Sequence, residues 1–344
     1  MLRALEPHLA WRHEDVEDPE SWTYHLSARD LEELDAALSH AKTVSPDLLD
    51  IEKHDFPLSG LGPTLTEIER ELIDGRGFVR IRGLPVERYS DEDLTLLYWG
   101  IGLHLGEPWP QNKYGHLMGD VTDQGKALSD PTFRGNELGQ VALDFHTDGA
   151  DLIGLMCLRS AKTGGLSIVA NAVAIHNDLV AQHPALARAL YDPLPYDFRG
   201  EQPDGAKPFY SFPVFTAFEQ RLFVRFIPHY IRASQRHADA PRLSPTALEA
   251  LDVVSAMARS QEYNITMELA PGDMQFINNY HVLHGRTAYV DAPSSGYKRH
   301  LKRLWLAAHH LEQRPPQFRR QGRAHWGRLR TQSQIAAVSR TAER

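Results

Sequence analysis

The second half of the chain is a succession of short apolar segments, a pattern that strongly limits the folds it can adopt. Each has the length of a β-strand: Leu152–Leu158, Leu166–Ala170, Phe209–Phe215, Leu222–Ile227, Asn264–Leu269, Met274–Asn279 and His300–Ala307. Turn formers such as Gly164-Gly165 and Pro271-Gly272-Asp273 separate several of them. Two helical patterns, Val173–Tyr191 and Pro245–Ser260, interrupt the series. We therefore expect a mainly β fold with helical decoration (α+β), built on a double-stranded β-helix, the jelly-roll or cupin-like core.

The front of the chain has a mixed pattern. Ala28–Ala41 and Thr64–Asp74 carry apolar residues at three- and four-residue spacing, which is typical of amphipathic helices. Gly77–Gly83 alternates apolar and basic residues, which indicates a short strand. Ser90, three residues before Asp93, is placed to cap a further helix.

No Gly/Ser- or Pro-rich linker divides the chain, so the sequence predicts one catalytic domain over residues 1–344. In it, a helix-rich part (1–140) packs on the jelly-roll core with its helical inserts (141–310). Residues 311–344 are rich in arginine, and we expect them to form a solvated basic extension. No glycine-rich phosphate loop follows any predicted strand, which argues against a nucleotide-binding fold.

Composition argues against several classes of protein. The formal net charge of −8 argues against a nucleic-acid partner, which would favour a strongly basic domain. Cys157 is the only cysteine, so neither an intrachain disulfide nor a cysteine-based metal cluster can form. No run approaches the ~18 consecutive apolar residues of a membrane helix. Acidic residues between Met1 and Asp18 stand where a signal peptide needs an apolar core. We expect a cytoplasmic protein with no membrane association.

The 18 histidines direct attention to nitrogen and oxygen ligands. In an extended segment residues i and i+2 share a face, so His146 and Asp148 can present an imidazole and a carboxylate to one point. A second histidine, His281 or His284, would complete a 2-His-1-carboxylate triad of the kind that holds iron(II) with open positions. The alternative at this stage is that these histidines are structural.

Several motifs, in order, make the chain resemble the taurine dioxygenase family of iron(II)- and 2-oxoglutarate-dependent oxygenases. Phe145–Asp148 is similar to the segment with the family's first two metal ligands. Thr163–Ser167 resembles its Gly-Gly-x-Thr turn, with serine in place of threonine. Pro271–Asp273 leads into Leu283–Arg286, which resembles the distal histidine block, and Lys298–Leu306 resembles the Arg-x-x-x-Arg strand.

The resemblance implies that His146, Asp148 and His284 bind iron(II), since the family places its distal histidine directly before Gly/Ser-Arg. His281 is then a residue of the pocket or its surroundings. Because halogenating relatives lack the carboxylate, Asp148 indicates oxygen insertion or desaturation.

For the cosubstrate, the resemblance implies that Arg299 pairs with the far carboxylate of 2-oxoglutarate and that Ser167 adds a hydroxyl donor. Arg303, four residues on, shares the strand face of Arg299 and is expected to hold the near carboxylate or an anionic substrate. Lys298 and Lys302 are expected to face the other way.

The resemblance further implies the use of O₂ and the oxidation of an unactivated carbon in a small polar metabolite, coupled to decarboxylation of 2-oxoglutarate to succinate and CO₂. Gln111, Asn112 and His281 are candidate substrate contacts, although the two amides could equally cap a turn after Pro110. The insert Asp291–Gly296 places taurine itself in doubt as the substrate.

Relatives suggest a homodimer or a homotetramer. The competing hypotheses are a zinc hydrolase that uses the same three ligands and a non-catalytic jelly-roll binding protein. Neither alternative needs Arg299 or the Gly-Gly-x-Ser turn.

Overall fold

A computed structural model describes residues 2–112, 114–125, 139, 141–203, 205–292 and 298–318. The α-helices in these ranges are α1 (Ala28–Val44), α2 (Leu61–Asp74), α3 (Asp91–Leu105), α4 (Ala172–Gln182), α5 (Pro184–Tyr191), α6 (Pro228–Ala233) and α7 (Pro245–Arg259). The first strands are β1 (Thr23–His25), β2 (Phe78–Arg82), β3 (Gly106–Pro108), β4 (Met118–Val121), β5 (Leu143–His146), β6 (Leu152–Arg159), β7 (Thr163–Gly164) and β8 (Ser167–Asn171). The later strands are β9 (Leu194–Asp197), β10 (Phe209–Phe212), β11 (Phe215–Phe218), β12 (Arg221–Val224), β13 (Asn264–Met267), β14 (Met274–Asn278), β15 (Val282–Arg286), β16 (Tyr289–Val290) and β17 (His300–Ala308).

Two sheets form the centre of the molecule. The larger has the order β1-β2-β14-β6-β17-β3, with β4 also paired to β17, and the smaller has the order β13-β8-β15-β5. All of these pairs are antiparallel except β1 with β2. Consecutive strands such as β14 and β15 lie in opposite sheets, as in a double-stranded β-helix. The predicted jelly-roll core is confirmed.

Apolar side chains fill the space between the sheets and cover their outer faces. Residues of both sheets share the inner cluster, among them Ile153 and Ile277 from the larger sheet and Val169 from the smaller. Helices α1, α2 and α3 pack on the larger sheet, where Leu97 and Phe276 belong to one cluster. Helices α4, α5 and α7 cover the smaller sheet. In the part of the chain described, no helix is long and apolar enough to cross a bilayer.

The predicted elements are recovered with two breaks, both at proline. The helical pattern Val173–Tyr191 divides into α4 and α5 because Pro184 has no amide hydrogen and disfavours a helical conformation at His183. The segment Phe209–Phe215 divides into β10 and β11 around Pro213. The division into three parts stays a prediction. The expectation of a solvated extension is wrong for its first residues, because Leu311 is buried and Arg314 pairs with the buried Asp151. Residues from 319 onward lie outside the described part of the chain.

An ion pair between the partly exposed Arg82 and the buried Asp273 links β2 to the turn before β14. Arg82 donates to both carboxylate oxygens of Asp273, with Nη2 2.6 Å from Oδ2. Asp273 is 2% exposed and also accepts the amide hydrogen of Ala270. Arg82→Met would leave this carboxylate buried with no cation beside it, and we expect a loss of about 2 kcal/mol in the free energy of unfolding, measured by urea denaturation.

Arg70→Met is the matched control, because Arg70 pairs with Glu67 on an exposed helix face. Its expected cost is below about 0.5 kcal/mol. Equal effects of the two substitutions would contradict a stabilising role for the Arg82–Asp273 pair.

Candidate active site

Neighbouring strands of the smaller sheet bring the predicted metal ligands together. β15 pairs with β5 so that His284 lies opposite His146, and their ring centroids are 4.3 Å apart. Asp148 follows β5 and places its carboxylate oxygens 3.9 Å from Nε2 of His146 and 3.8 Å from Nε2 of His284. One ligand atom from each residue lies within 4.8 Å of the other two. The three side chains therefore converge on one point.

Each histidine directs Nε2 toward the carboxylate of Asp148. Nδ1 of His146 donates to the carbonyl oxygen of Asp144 at 2.8 Å, which fixes the orientation of the ring. Burial, and then the nearby His146, lower the pKa of His284 to about 3, so that His284 is neutral. Its Nδ1 is buried without a hydrogen-bond partner among the described residues.

Asp148 is held ionised and in place by residues of β17. Trp305 Nε1 donates to Oδ2 at 3.0 Å, and Arg303 Nη1 lies 3.5 Å from the same oxygen. Burial would raise the pKa of Asp148, but nearby positive charge, Arg303 first, outweighs it and lowers that pKa. Two imidazoles and one carboxylate, all on side chains that are largely shielded from solvent, suit iron(II).

The main chain around Asp148 is fixed as well. Asn279 accepts the amide hydrogen of Asp148 at 2.7 Å and donates to its carbonyl oxygen at 2.9 Å. It also donates to the carbonyl oxygen of Ala150. Thr147 exchanges two hydrogen bonds with Phe226, through its amide and its hydroxyl. The ligand segment is thus tied to the chain on both sides.

Arg299 and its neighbours form a buried cationic pocket. Arg299 is 5% exposed; its Nη2 donates to the carbonyl oxygen of Gly165 and its guanidinium lies 5.0 Å from the ring centroid of Tyr289. Arg286 lies 4.6 Å from the same ring, two residues beyond His284 on the same face of β15. Burial, and then the like charge of Arg299, lower the pKa of Arg286 to about 10, which leaves it protonated near neutral pH. Nη1 of Arg299 is buried and has no partner within the described ranges.

Gly165 makes the close approach of Arg299 possible. Its φ is +74°, and a Cβ there would lie 2.8 Å from Nε of Arg299. Ser167 begins β8 two residues later, but its hydroxyl donates to Oε1 of Gln275 at 2.6 Å. A buried arginine with an unused donor nitrogen suits the far carboxylate of a dicarboxylate such as 2-oxoglutarate.

Gln111 and Arg303 bind each other. Nε of Arg303 donates to Oε1 of Gln111 at 2.8 Å, while the amide nitrogen of Gln111 donates to the carbonyl oxygens of Leu117 and Arg303. Lys302 instead pairs with Asp120, away from Arg303, as the strand alternation predicts. Gln111 therefore fixes the guanidinium of Arg303 beside Asp148.

The other two candidate substrate residues are engaged elsewhere. Asn112 accepts the amide hydrogens of Tyr114 and His116, so it caps the turn after Pro110. His281 lies in the turn before β15, with Nε2 3.2 Å from Glu6 and Nδ1 3.1 Å from Asn278.

Sequence reasoning missed Trp305, Asn279 and Gln275. The sequence could have indicated Trp305, because it lies two residues beyond Arg303 and so on the same face of the strand. Asn279 and Gln275 had none, since their partners lie more than 100 positions away in the sequence.

Trp305→Phe tests the support of Asp148. The substitution keeps a large ring but removes the hydrogen bond to Oδ2, so we expect iron(II) affinity to fall about tenfold, measured by anaerobic titration. Trp99→Phe is the control, because it also removes an indole hydrogen bond, to the carbonyl oxygen of Ile51, but in the core away from the site. An affinity that falls equally in both variants would show a general loss of stability instead.

The fold and the convergent ligands are those of an iron(II)- and 2-oxoglutarate-dependent dioxygenase. Residues 40–305 match the family described as "Taurine catabolism dioxygenase TauD, TfdA family", and the chain belongs to that family. It is an enzyme of the 2-oxoglutarate-dependent dioxygenase class, with iron(II), 2-oxoglutarate and O₂ as cofactor and cosubstrates, as expected.

The chain is similar in sequence to named relatives and in fold to a solved structure. FR-33289 synthase of Streptomyces rubellomurinus is 30% identical over 308 residues, which is 89% of this chain and 91% of the relative. A taurine hydroxylase-like protein, SAT17 of Stachybotrys chartarum, is 27% identical over 87% of this chain and 79% of its own length. The fold resembles that of an asparagine oxygenase crystallised with Fe(II), 3-hydroxyasparagine and succinate (TM-score 0.63, 18% identity, 83% of this chain and 93% of that one).

Proposed function

We propose that His146, Asp148 and His284 hold the iron(II) of this dioxygenase and that Arg299 holds its 2-oxoglutarate. The observation that carries the assignment is the convergence of the three ligand atoms within 4.8 Å. The buried Nη1 of Arg299 supports the assignment to 2-oxoglutarate, since no described residue accepts a hydrogen bond from it. The enzyme oxidises an unactivated carbon of a small polar metabolite, by hydroxylation or a related oxidation.

Each residue has a stated task. When bound, iron(II) and 2-oxoglutarate supply the oxidation, in which one atom of O₂ goes to the substrate carbon and the other to succinate as CO₂ leaves. His146 and His284 offer ring nitrogens, and Asp148 offers a charged oxygen. Arg299 neutralises the far carboxylate of the cosubstrate with its planar fork.

Ser167 and Arg303 have supporting tasks in this proposal. Ser167 can donate to 2-oxoglutarate only if its hydroxyl turns away from Gln275, so we assign it a secondary contact. Arg303 keeps Asp148 ionised, and its guanidinium, 3.5 Å from Asp148, could also donate to the near carboxylate of a bound cosubstrate. The cytoplasmic location and the homodimeric or homotetrameric assembly stay predictions.

The test is an anaerobic visible spectrum of metal-free protein after addition of iron(II) and then 2-oxoglutarate. We expect a weak charge-transfer band that needs both additions, because the keto acid must chelate the metal. Glutarate is the matched control, since it has both carboxylates but no keto oxygen and should give no band. Candidate substrates are then screened by succinate release in the presence of O₂.

Two results would contradict the proposal. Tight zinc binding with no band, together with activity that does not depend on O₂, would favour a hydrolase. Ligand binding without succinate formation would favour a non-catalytic binding protein.

A further inference from the structure

We infer that Arg225 binds an anionic group of the substrate beside the metal site; this inference rests on the proposed function. Arg225 follows β12, and the next residue, Phe226, exchanges two hydrogen bonds with Thr147. Because Thr147 lies between His146 and Asp148, Arg225 runs alongside the ligand segment. Its Nη1 lies 3.4 Å from the carbonyl oxygen of Asp148.

The guanidinium of Arg225 faces groups that carry no negative charge. Nε and Nη2 donate to the hydroxyl of Tyr210 at 3.2 and 2.7 Å. The ring centroids of Tyr196, Tyr210 and Phe212 lie 5.9, 5.5 and 5.6 Å from it. In the described ranges no carboxylate lies within ion-pair distance of Arg225, in contrast to Arg82 with Asp273.

The hydrogen-bonding capacity of Arg225 is also incompletely used. A guanidinium has five N–H donors, and the described residues accept three of them, two through one tyrosine hydroxyl. Arg225 is partly buried, and tyrosine faces and a carbonyl oxygen offset only part of the cost of shielding its charge from water. The remaining N–H groups on Nη1 and Nη2 can donate to the two oxygens of a bidentate oxyanion.

Two other arginines of the site already have a role. Arg303 is fixed by Gln111 and Asp148, and Arg299 belongs to the pocket beside Tyr289. With iron(II) present, the positive charges of the site exceed those that Asp148 and the two carboxylates of 2-oxoglutarate can neutralise. An anionic substrate would reduce this excess, and Arg225 lies beside Asp148 with no described carboxylate at ion-pair distance.

The expected group is therefore a carboxylate, sulfonate or phosphonate placed at Arg225 and the hydroxyl of Tyr210, with the carbon to be oxidised held toward the metal. Arg225 is thus a specificity residue that fixes the substrate, and it leaves the binding of iron and 2-oxoglutarate to other side chains.

The experiment adds acetate, methanesulfonate or methylphosphonate to the anaerobic iron(II)–2-oxoglutarate complex at ionic strength held constant with sodium chloride. Binding beside the metal should shift the charge-transfer band saturably for at least one of the three anions. In Arg225→Gln the dissociation constant of that anion should rise about tenfold to a hundredfold, and Arg225→Lys should recover part of the loss. Arg221→Gln is the matched control, because Arg221 begins the same strand but pairs with Asp74 at the surface; its titration should equal that of the wild type.

The outcomes are distinguishable from a failure of the proposed function. A band in the wild type that none of the three anions shifts would overturn the role of Arg225 while the iron and cosubstrate assignments stand. An Arg225→Gln protein that binds the anion as tightly as the wild type would also overturn it. So would an Arg225→Gln protein that shows no band even before an anion is added, because Arg225 would then support the metal site. If Arg225→Gln does not fold, the wild-type and Arg225→Lys titrations decide. Absence of the band from the wild type would instead count against the proposed function.

Discussion

Asp148→Ala is expected to abolish the iron(II)–2-oxoglutarate charge-transfer band and to reduce succinate formation to that of a protein-free solution. Asp148 supplies the only carboxylate of the converging group. Its removal leaves the two imidazoles without a carboxylate, and it leaves the positive charge of Arg303 uncompensated next to the proposed iron(II) position. Both the lost ligand and the added repulsion weaken iron binding, which anaerobic titration with iron(II) measures directly.

Asp252→Ala serves as the control, because Asp252 pairs with Arg232 on an exposed face of α7. It should bind iron(II) and form succinate like the wild type. Thermal unfolding of both variants shows whether they remain folded. Unchanged iron affinity and an intact band in Asp148→Ala would mean that the ligand set lies elsewhere in the chain.

The convergence of His146, Asp148 and His284, which we propose as the metal ligands, could be predicted because strand geometry is local. His146 and Asp148 come from one extended segment, and a two-residue period puts them on one side. The choice of His284 over His281 needed the family motif, and the structure gives its physical basis. His284 lies within β15, opposite His146, whereas His281 precedes the strand and contacts Glu6.

Helix ends that are set by neighbouring residues were also predictable, whereas side-chain contacts between distant segments were not. The Ser90 cap is present, with Oγ accepting the amide hydrogen of Asp93, because a cap needs only neighbouring residues. By contrast, Gln111 and Asn112 are adjacent and chemically alike, yet one binds Arg303 and the other caps a turn. Their difference depends on where β17 lies, and no local pattern contains that information.

Arg299→Gln is expected to raise the dissociation constant of 2-oxoglutarate roughly 30- to 1,000-fold, which corresponds to about 2–4 kcal/mol for a buried charge pair. Glutamine keeps hydrogen-bond donors but loses the charge and the fork that suit a carboxylate. Iron(II) affinity without cosubstrate should stay unchanged, because Arg299 contacts Gly165 and Tyr289, not the ligand triad. The measurement is an anaerobic titration of the charge-transfer band with 2-oxoglutarate at saturating iron(II).

Lys298→Gln provides the matched control, since it also removes one positive charge, one residue before Arg299. Lys298 is exposed, and its Nζ lies 3.4 Å from the carbonyl oxygen of Asp123. Its titration should superimpose on that of the wild type. Pyruvate, which keeps the keto acid but lacks the far carboxylate, separates charge recognition from chelation. Its weak binding should be the same in the wild type and in Arg299→Gln. If Arg299→Gln instead weakened pyruvate and 2-oxoglutarate equally, Arg299 would act on the metal site and not on the far carboxylate.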